Sequence, residues 1–256
     1  MDRFALLDGI GMPLDAAAIP VTDPAFTRGW SVFETLRSIH GSVAYAEQHL
    51  DRLAASCATA QIPMPPRALL EAELAAVVGV VPNARLRITL TGGGRRIVTA
   101  EPLDLERIHA PVRAVTRPWR PDPLVGGSVK HGGRASWSMA VAASGADEVL
   151  FVDECGRFGE GTSSAILAVV AGVIHTAPHD GRILPSVTCR SVLDDARALG
   201  IPVSMEPASV SDELDALYIA STTRHLAPVV ELDGRPMPGW DPIGEALAAR
   251  GMPHLW

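Results

Sequence analysis

One residue type in this chain is nearly absent, and its single occurrence is the first candidate for chemistry. Of 22 basic residues one is a lysine, Lys130, and the other 21 are arginine. It lies in the stretch GGSVKHGGRAS. A compositional bias toward arginine explains the scarcity and leaves chance survival of one lysine as the plain alternative. The sharper reading is chemical. A guanidinium stays protonated and is no nucleophile at neutral pH, whereas an amine whose pKa is lowered by its site is one. Forming a Schiff base with a carbonyl is the commonest need for such an amine.

Other polar groups interrupt otherwise apolar stretches. Glu160 lies between glycines in GEGTSS, either as a solvated turn residue or as a carboxylate held against a cationic ring nitrogen. Val187 and Thr188, in LPSVTCRS, open a predicted helix whose first N–H groups suit an anion, a phosphate above all. Ser221 and Thr222, in ASTTRH, end a predicted strand and add hydroxyl donors. Capping and turn chemistry is the plain alternative for both clusters. Arg52, in HLDRL, falls on the polar side of a predicted helix, as a surface charge or as a forked partner for phosphate oxygens.

Elements follow from the spacing of apolar residues. FALLDGIGMPLD predicts a hairpin turning at Asp8-Gly9 or Gly11, and WSVFETLRSIHGSVAYA predicts two strands flanking His40-Gly41. EQHLDRLAASCATAQ and PRALLEAELAAVVGVV predict helices, the first stopped before Pro63. ARLRITLTGGG and PVRAVTR predict strands. TRPWRPDPLVGG reads as a linker. Beyond it come a short helix in ASWSMAVAASGA, antiparallel strands from EVLFVDECGRF to AGVIHTA, and the helix SVTCRSVLDDARALG closed by Gly200. IPVSMEPAS reads as a strand, SDELDAL as a helical turn, LYIAS as a strand and APVVELDGRPM as a strand with a hairpin. Strands with helices outside them predict an α+β chain in two domains, 1–118 and 119–256, the second carrying Lys130.

The 256 residues are 47% hydrophobic and 20% charged, with a net charge of -7 and scattered basic residues. No nucleic-acid face is announced, no apolar run has the length of a membrane span, and Cys57, Cys155 and Cys189 show no metal or disulfide spacing. MDRFALLDG lacks the cationic-then-apolar order of a signal peptide, so the cytoplasm is the expected compartment.

In order, VFETLR, HLDRL, the lone lysine, EGTSS, LPSVTCRSVL and STT followed by LDGR resemble the class IV aminotransferase family. These are pyridoxal phosphate enzymes of fold type IV, including branched-chain and D-amino-acid aminotransferases and 4-amino-4-deoxychorismate lyase. The resemblance spans roughly residues 5 to 240. It implies pyridoxal 5'-phosphate bound as a Schiff base to Lys130, which then moves the substrate α-proton. Glu160 would face the pyridine nitrogen. Arg52, Val187, Thr188, Ser221 and Thr222 would hold the phosphate. Phe33 stands where D-amino-acid aminotransferases have a tyrosine, and Arg96 matches the arginine that traps their substrate carboxylate; Arg134 and Arg224 are further carboxylate candidates. The implied substrate is a small amino acid-like molecule and the implied assembly a homodimer. Three departures stand out. Gly29-Trp30-Ser31 replaces Gly-Asp-Gly, Val98 replaces the histidine of the D-amino-acid trap, and FET replaces the branched-chain FEG. Phe33-Glu34-Thr35 and the KHxxR of Lys130, His131 and Arg134 resemble the lyases, although Gly132-Gly133 stands where they carry Leu-Asn. The reading leans to the lyase, with a transaminase as alternative and a non-catalytic binding homologue more remote.

Overall fold

A computed structural model describes residues 3–251. Their contacts form two units. The first runs to Leu105 and takes in Val129–Arg134; the second comprises Glu106–Ser128 and the chain from Ala135 onward. The expected division at 118/119 differs in two respects. The strand at Val112–Pro118 pairs only with strands of the second unit. The Lys130 segment instead pairs with the first unit, through the bridge between Val32 and His131.

The first unit contains β1 (Phe4–Leu7), β2 (Ile10–Pro13), α1 (Pro24–Arg28), β3 (Ser31–Ile39), β4 (Ser42–Val43), α2 (Ala46–Ala60), α3 (Arg67–Val80), β5 (Ala84–Thr91) and β6 (Arg96–Pro102). Its strands form an antiparallel sheet in the order β2-β1-β6-β5-β3-β4. Strand β6 was not foreseen as a separate element, because arginines open it and only Ile97, Val98 and Ala100 are apolar. Alternation decides which residues meet the helices. Val32 and Leu36 of β3, Leu86, Ile88 and Leu90 of β5, and Val98 and Ala100 of β6 form one core with Leu50, Leu53 and Cys57 of α2 and Leu70, Leu74 and Val77 of α3.

The second unit contains β7 (Val112–Pro118), α4 (Ala135–Ser144), β8 (Glu148–Val152), β9 (Phe158–Gly161), β10 (Ala165–Val170), β11 (Val173–His175), α5 (Val187–Ala198), β12 (Val203–Ser204), β13 (Ala216–Ser221), β14 (His225–Leu232), β15 (Arg235–Pro236) and α6 (Pro242–Gly251). Strands β10, β13, β14, β7, β8 and β9 pair in succession, and β9 pairs back to β10, so the sheet closes into a barrel. Closure buries both faces of its strands. Ile166 and Ala168 of β10 point with Leu217 and Ile219 into the barrel core. Leu167 and Val169 point outward, with Tyr218, to the residues Cys189, Val192 and Leu193 of α5 and Leu247 of α6. This explains the unbroken apolar run AILAVV, which has no amphipathic period to read. The expected helical turn at SDELDAL is instead a turn and bend leading into β13, and only Val203–Ser204 of the expected strand IPVSMEPAS is extended. Among the described residues, no helix is long and apolar enough to cross a membrane.

Ile219 is fully buried against Ile166 across the β10–β13 pair. Ile219→Ala is expected to cost about 2–5 kcal/mol in urea unfolding, whereas Leu124→Ala at the chain surface shifts stability by less than about 0.5 kcal/mol.

Candidate active site

Lys130 is held as an added strand residue on the edge of β3. The Phe33 N–H donates to the Lys130 carbonyl at 2.9 Å, the Gly132 N–H to the Ser31 carbonyl at 2.8 Å, and the Lys130 N–H to Ser56 Oγ at 3.2 Å. Antiparallel pairing of Val32 with His131 places Lys130 opposite Phe33, on the sheet face turned away from α2 and α3. The side chains agree, since Lys130 Nζ lies 4.9 Å from the centroid of the Phe33 ring.

This pairing brings the two backbones close together. A Cβ on Gly132 would collide with Ser31 Oγ. Ser31 and Gly132 thus meet across the pairing, Ser31 Oγ lying where a side chain at 132 would begin. Gly29, at φ +66, approaches as closely; a Cβ there would lie 3.2 Å from Gly133 Cα.

On the helix-facing side of β3, Glu34 is fully buried. Its carboxylate accepts a forked pair from Arg52, Nε to Oε1 at 2.7 Å and Nη2 to Oε2 at 2.8 Å, and a third bond from His49 Nδ1 at 2.8 Å. Burial alone would raise the Glu34 pKa, but the Arg52 charge and the bonds from Arg52 and His49 outweigh it, and the carboxyl is held at about 2. Burial is the largest influence on His49 and lowers its pKa; Glu34 opposes the shift, while the Arg52 and Lys130 charges add to it. His49, Arg52 and Ser56 recur at helical spacing along one stripe of α2. The Arg52 side chain is only 10% exposed, so its reading as a surface charge does not hold.

Arg87, not singled out in the sequence, lies with its guanidinium carbon 3.7 Å from the Phe33 ring centroid. Register places it across from Thr35, on the Lys130 face. Burial lowers its pKa, with Arg85 adding to the effect, yet an arginine stays charged. Arg37, also on this face by alternation, is buried as well. In sequence both looked like the solvent side of alternating strands. Arg96 is placed differently from its expected role beside the substrate. It pairs across the sheet with Leu90, a residue of the helix-side core, and donates from Nε to Glu73 of α3 at 2.8 Å. Arg134 folds back on its own loop, Nε donating to the His131 carbonyl at 3.3 Å.

The remaining expected residues belong to the second unit. Glu160, at the end of β9, is buried and accepts the Leu184 N–H at 3.3 Å through Oε2. Val187 and Thr188 occupy the first turn of α5, capped by Ser186, whose hydroxyl accepts the Cys189 N–H. Both are nearly buried, and their N–H groups are among those a helix leaves unpaired at its start. Ser221 ends β13, and Thr222 and Arg224 lie in the turn to β14.

A family model described as amino-transferase class IV matches residues 31–232. The chain therefore belongs to the class IV aminotransferases, which are pyridoxal phosphate enzymes. It is 30% identical over 272 residues to the bifunctional aminodeoxychorismate lyase / D-amino acid transaminase of Mycobacterium tuberculosis, covering 93% of this chain and 92% of that protein. It is 27% identical to the D-alanine aminotransferase of Listeria innocua, covering 85% and 83%. A hypothetical aminotransferase from Mycobacterium tuberculosis in PLP-bound form superposes with TM-score 0.87 at 25% identity, covering 98% of each chain. The branched-chain aminotransferase of the archaeon Thermoproteus uzoniensis shares the fold type IV architecture at TM-score 0.85 and 24% identity, covering 96% of this chain and 92% of that one.

Each unit by itself holds groups of the kinds that pyridoxal 5'-phosphate needs: the first an amine for its aldehyde and an arginine for its phosphate, the second a buried carboxylate for its ring nitrogen and a helix start with hydroxyls for its phosphate.

Because the folded Glu34 pKa of about 2 lies below its ordinary 4.5, its contribution is complete above pH 4.5 and fades as pH falls toward 2. Glu34→Gln is expected to lose about 3 kcal/mol at pH 7, with the gap to the native protein narrowing in acid unfolding below pH 4.5.

Proposed function

We propose that this enzyme is a 4-amino-4-deoxychorismate lyase, releasing pyruvate and leaving 4-aminobenzoate. The observation that carries this reading is the packing of Lys130 Nζ and the Arg87 guanidinium on the Phe33 ring. A flat aromatic surface beside the reactive amine suits a six-membered ring that becomes planar and aromatic as it reacts, and a forked cation on the same surface suits that ring's carboxylate. Arg96, which would mark a D-amino-acid carboxylate trap, is instead engaged with Glu73.

When bound, pyridoxal phosphate supplies an electron sink for charge developing at the carbon that bears the substrate amine. Lys130 would hold it through its amine, and that amine, when free, would take the proton from the same carbon. The ring carbon–oxygen bond then breaks with its electron pair leaving on the enolpyruvyl oxygen. The proton on Lys130 returns to the departing enolpyruvate, giving pyruvate. Glu160 would keep the ring nitrogen protonated, while Arg52, Val187, Thr188, Ser221 and Thr222 would hold the phosphate. The reading includes a homodimer, as the family resemblance implies, with light scattering of the purified protein as its check, and the cytoplasm expected from the sequence as its compartment.

A transaminase reading has its own support in the likeness to the D-alanine aminotransferase. In that reaction Lys130 would take and return a proton, water would supply the oxygen of the departing keto acid, and the amino group would pass to a second keto acid.

Purified protein supplied with 4-amino-4-deoxychorismate is expected to form pyruvate and 4-aminobenzoate in equal amounts. Amino-group exchange across a panel of D- and L-amino acids with 2-oxoglutarate or pyruvate, and no product from aminodeoxychorismate, would overturn the lyase in favour of the transaminase. Lys130→Ala is expected to lower kcat by on the order of 10³-fold or more, and Arg87→Gln to raise KM about 10- to 100-fold.

A further inference from the structure

Glu148 opens β8, is 2% exposed, and has no part in the reaction as described so far. Three consecutive side chains of the β9–β10 turn donate to its carboxylate. Thr162 Oγ1 bonds Oε1, Ser163 Oγ bonds Oε2 at 2.6 Å, and Ser164 Oγ bonds Oε2 at 3.1 Å. The Val149 N–H adds a bond to Oε1 at 3.1 Å. Hydroxyls in a polar turn ordinarily serve solvent or their own backbone. Here all three are directed at one carboxylate, which as a buried acceptor requires partners of this kind.

The same turn begins at Glu160. Gly161 follows it directly, with its N–H donating to the Ser164 carbonyl at 2.7 Å, while the Thr162 N–H donates to the Val149 carbonyl at 3.0 Å. Across the turn, Glu160 pairs with Ala165 of β10. Gly161 leaves room for this arrangement. A Cβ there would collide with Ser164 Oγ and come within 3.2 Å of Glu148 Cδ. One carboxylate on β8 thus pins the whole segment that separates Glu160 from its partner on β10.

We propose that Glu148 is a positioning residue. Through Thr162, Ser163 and Ser164 it fixes the backbone that carries Glu160, and so sets how well Glu160 serves the ring nitrogen of bound pyridoxal phosphate. This rests on the reading in which Glu160 faces that nitrogen. The motif letters TSS after the Glu160-Gly161 pair are then anchors for a carboxylate earlier in the chain, rather than phosphate ligands or capping groups.

The test uses the holoenzyme and four variants: Glu160→Gln, Glu148→Ala, Glu148→Gln, and Glu148→Ala combined with Glu160→Gln. The readouts are the pH titration of the visible absorption band, the dissociation constant for pyridoxal phosphate, and the Tm of the cofactor-free protein. Glu160→Gln is expected to shift the titration and weaken cofactor binding about tenfold. Glu148→Ala is expected to move both in the same direction by about three- to tenfold, and Glu148→Gln, which keeps an acceptor in place, to recover most of the loss. The double variant is expected to be no worse than Glu160→Gln alone, because Glu148 acts through Glu160. A lower Tm with native titration and native affinity in Glu148→Ala, or full additivity in the double variant, overturns the proposal while leaving the role of Glu160 intact. A native titration in Glu160→Gln overturns both. Should Glu148→Ala not fold, Ser163→Ala removes one of the three donors and is expected to shift the titration and weaken binding about twofold; native behaviour in it overturns the proposal equally.

Discussion

The backbone bond from Phe33 to the Lys130 carbonyl is the constraint on which the first unit's share of the candidate site depends. It makes a six-residue segment, Val129–Arg134, part of the N-terminal unit although the chain on both sides belongs to the other unit. Strand pairing then fixes the face onto which the lysine points, because residues opposite one another in an antiparallel ladder project to the same side. The backbone at Lys130 is held by its carbonyl and its N–H, bonded to Phe33 and Ser56. The price is steric. The segment approaches β3 so closely that a Cβ at 132 would meet Ser31 Oγ.

Two buried carboxylates show different solutions to the same physical problem. An unpaired buried charge is costly, so each must be surrounded by donors. Glu34 is met by the charged fork of Arg52 and by the ring of His49, and the pairing holds its pKa at about 2. Glu148 is met by neutral hydroxyls and a backbone N–H. The first arrangement orients a cation, Arg52, and leaves its side chain almost withdrawn from solvent. The second orients a turn and the Glu160 that precedes it. Both work by fixing groups that precede or face the candidate chemistry.

Much of the architecture was legible from apolar spacing and from glycine and proline punctuation. The helices at Ala46–Ala60, Arg67–Val80, Ala135–Ser144 and Val187–Ala198 lie where the periodicity predicts them. The barrel closure was not legible, since β10 is apolar on both faces and gives no alternation to follow. Nor was the C-terminal helix at Pro242–Gly251, or the division of the chain, which depends on long-range pairing of β7 and of the Lys130 segment. For the site, the lone lysine was visible by composition alone. Glu34 and His49 lay inside quoted motifs but carried no separate signal, because their meaning is a mutual contact across the α2–β3 packing. Arg87 alternated with Leu86 and Ile88 as a solvent-facing residue would. Arg96 matched a motif position, yet the strand parity of β6 turned it toward α3.

The most direct measurement is borohydride reduction of the pyridoxal phosphate-loaded protein followed by peptide mapping. The account predicts a single stable phosphopyridoxyl adduct on the peptide containing Lys130, with loss of the visible band. Label confined to the chain's α-amino group, or a protein that binds the cofactor without reducible attachment at Lys130, would contradict it.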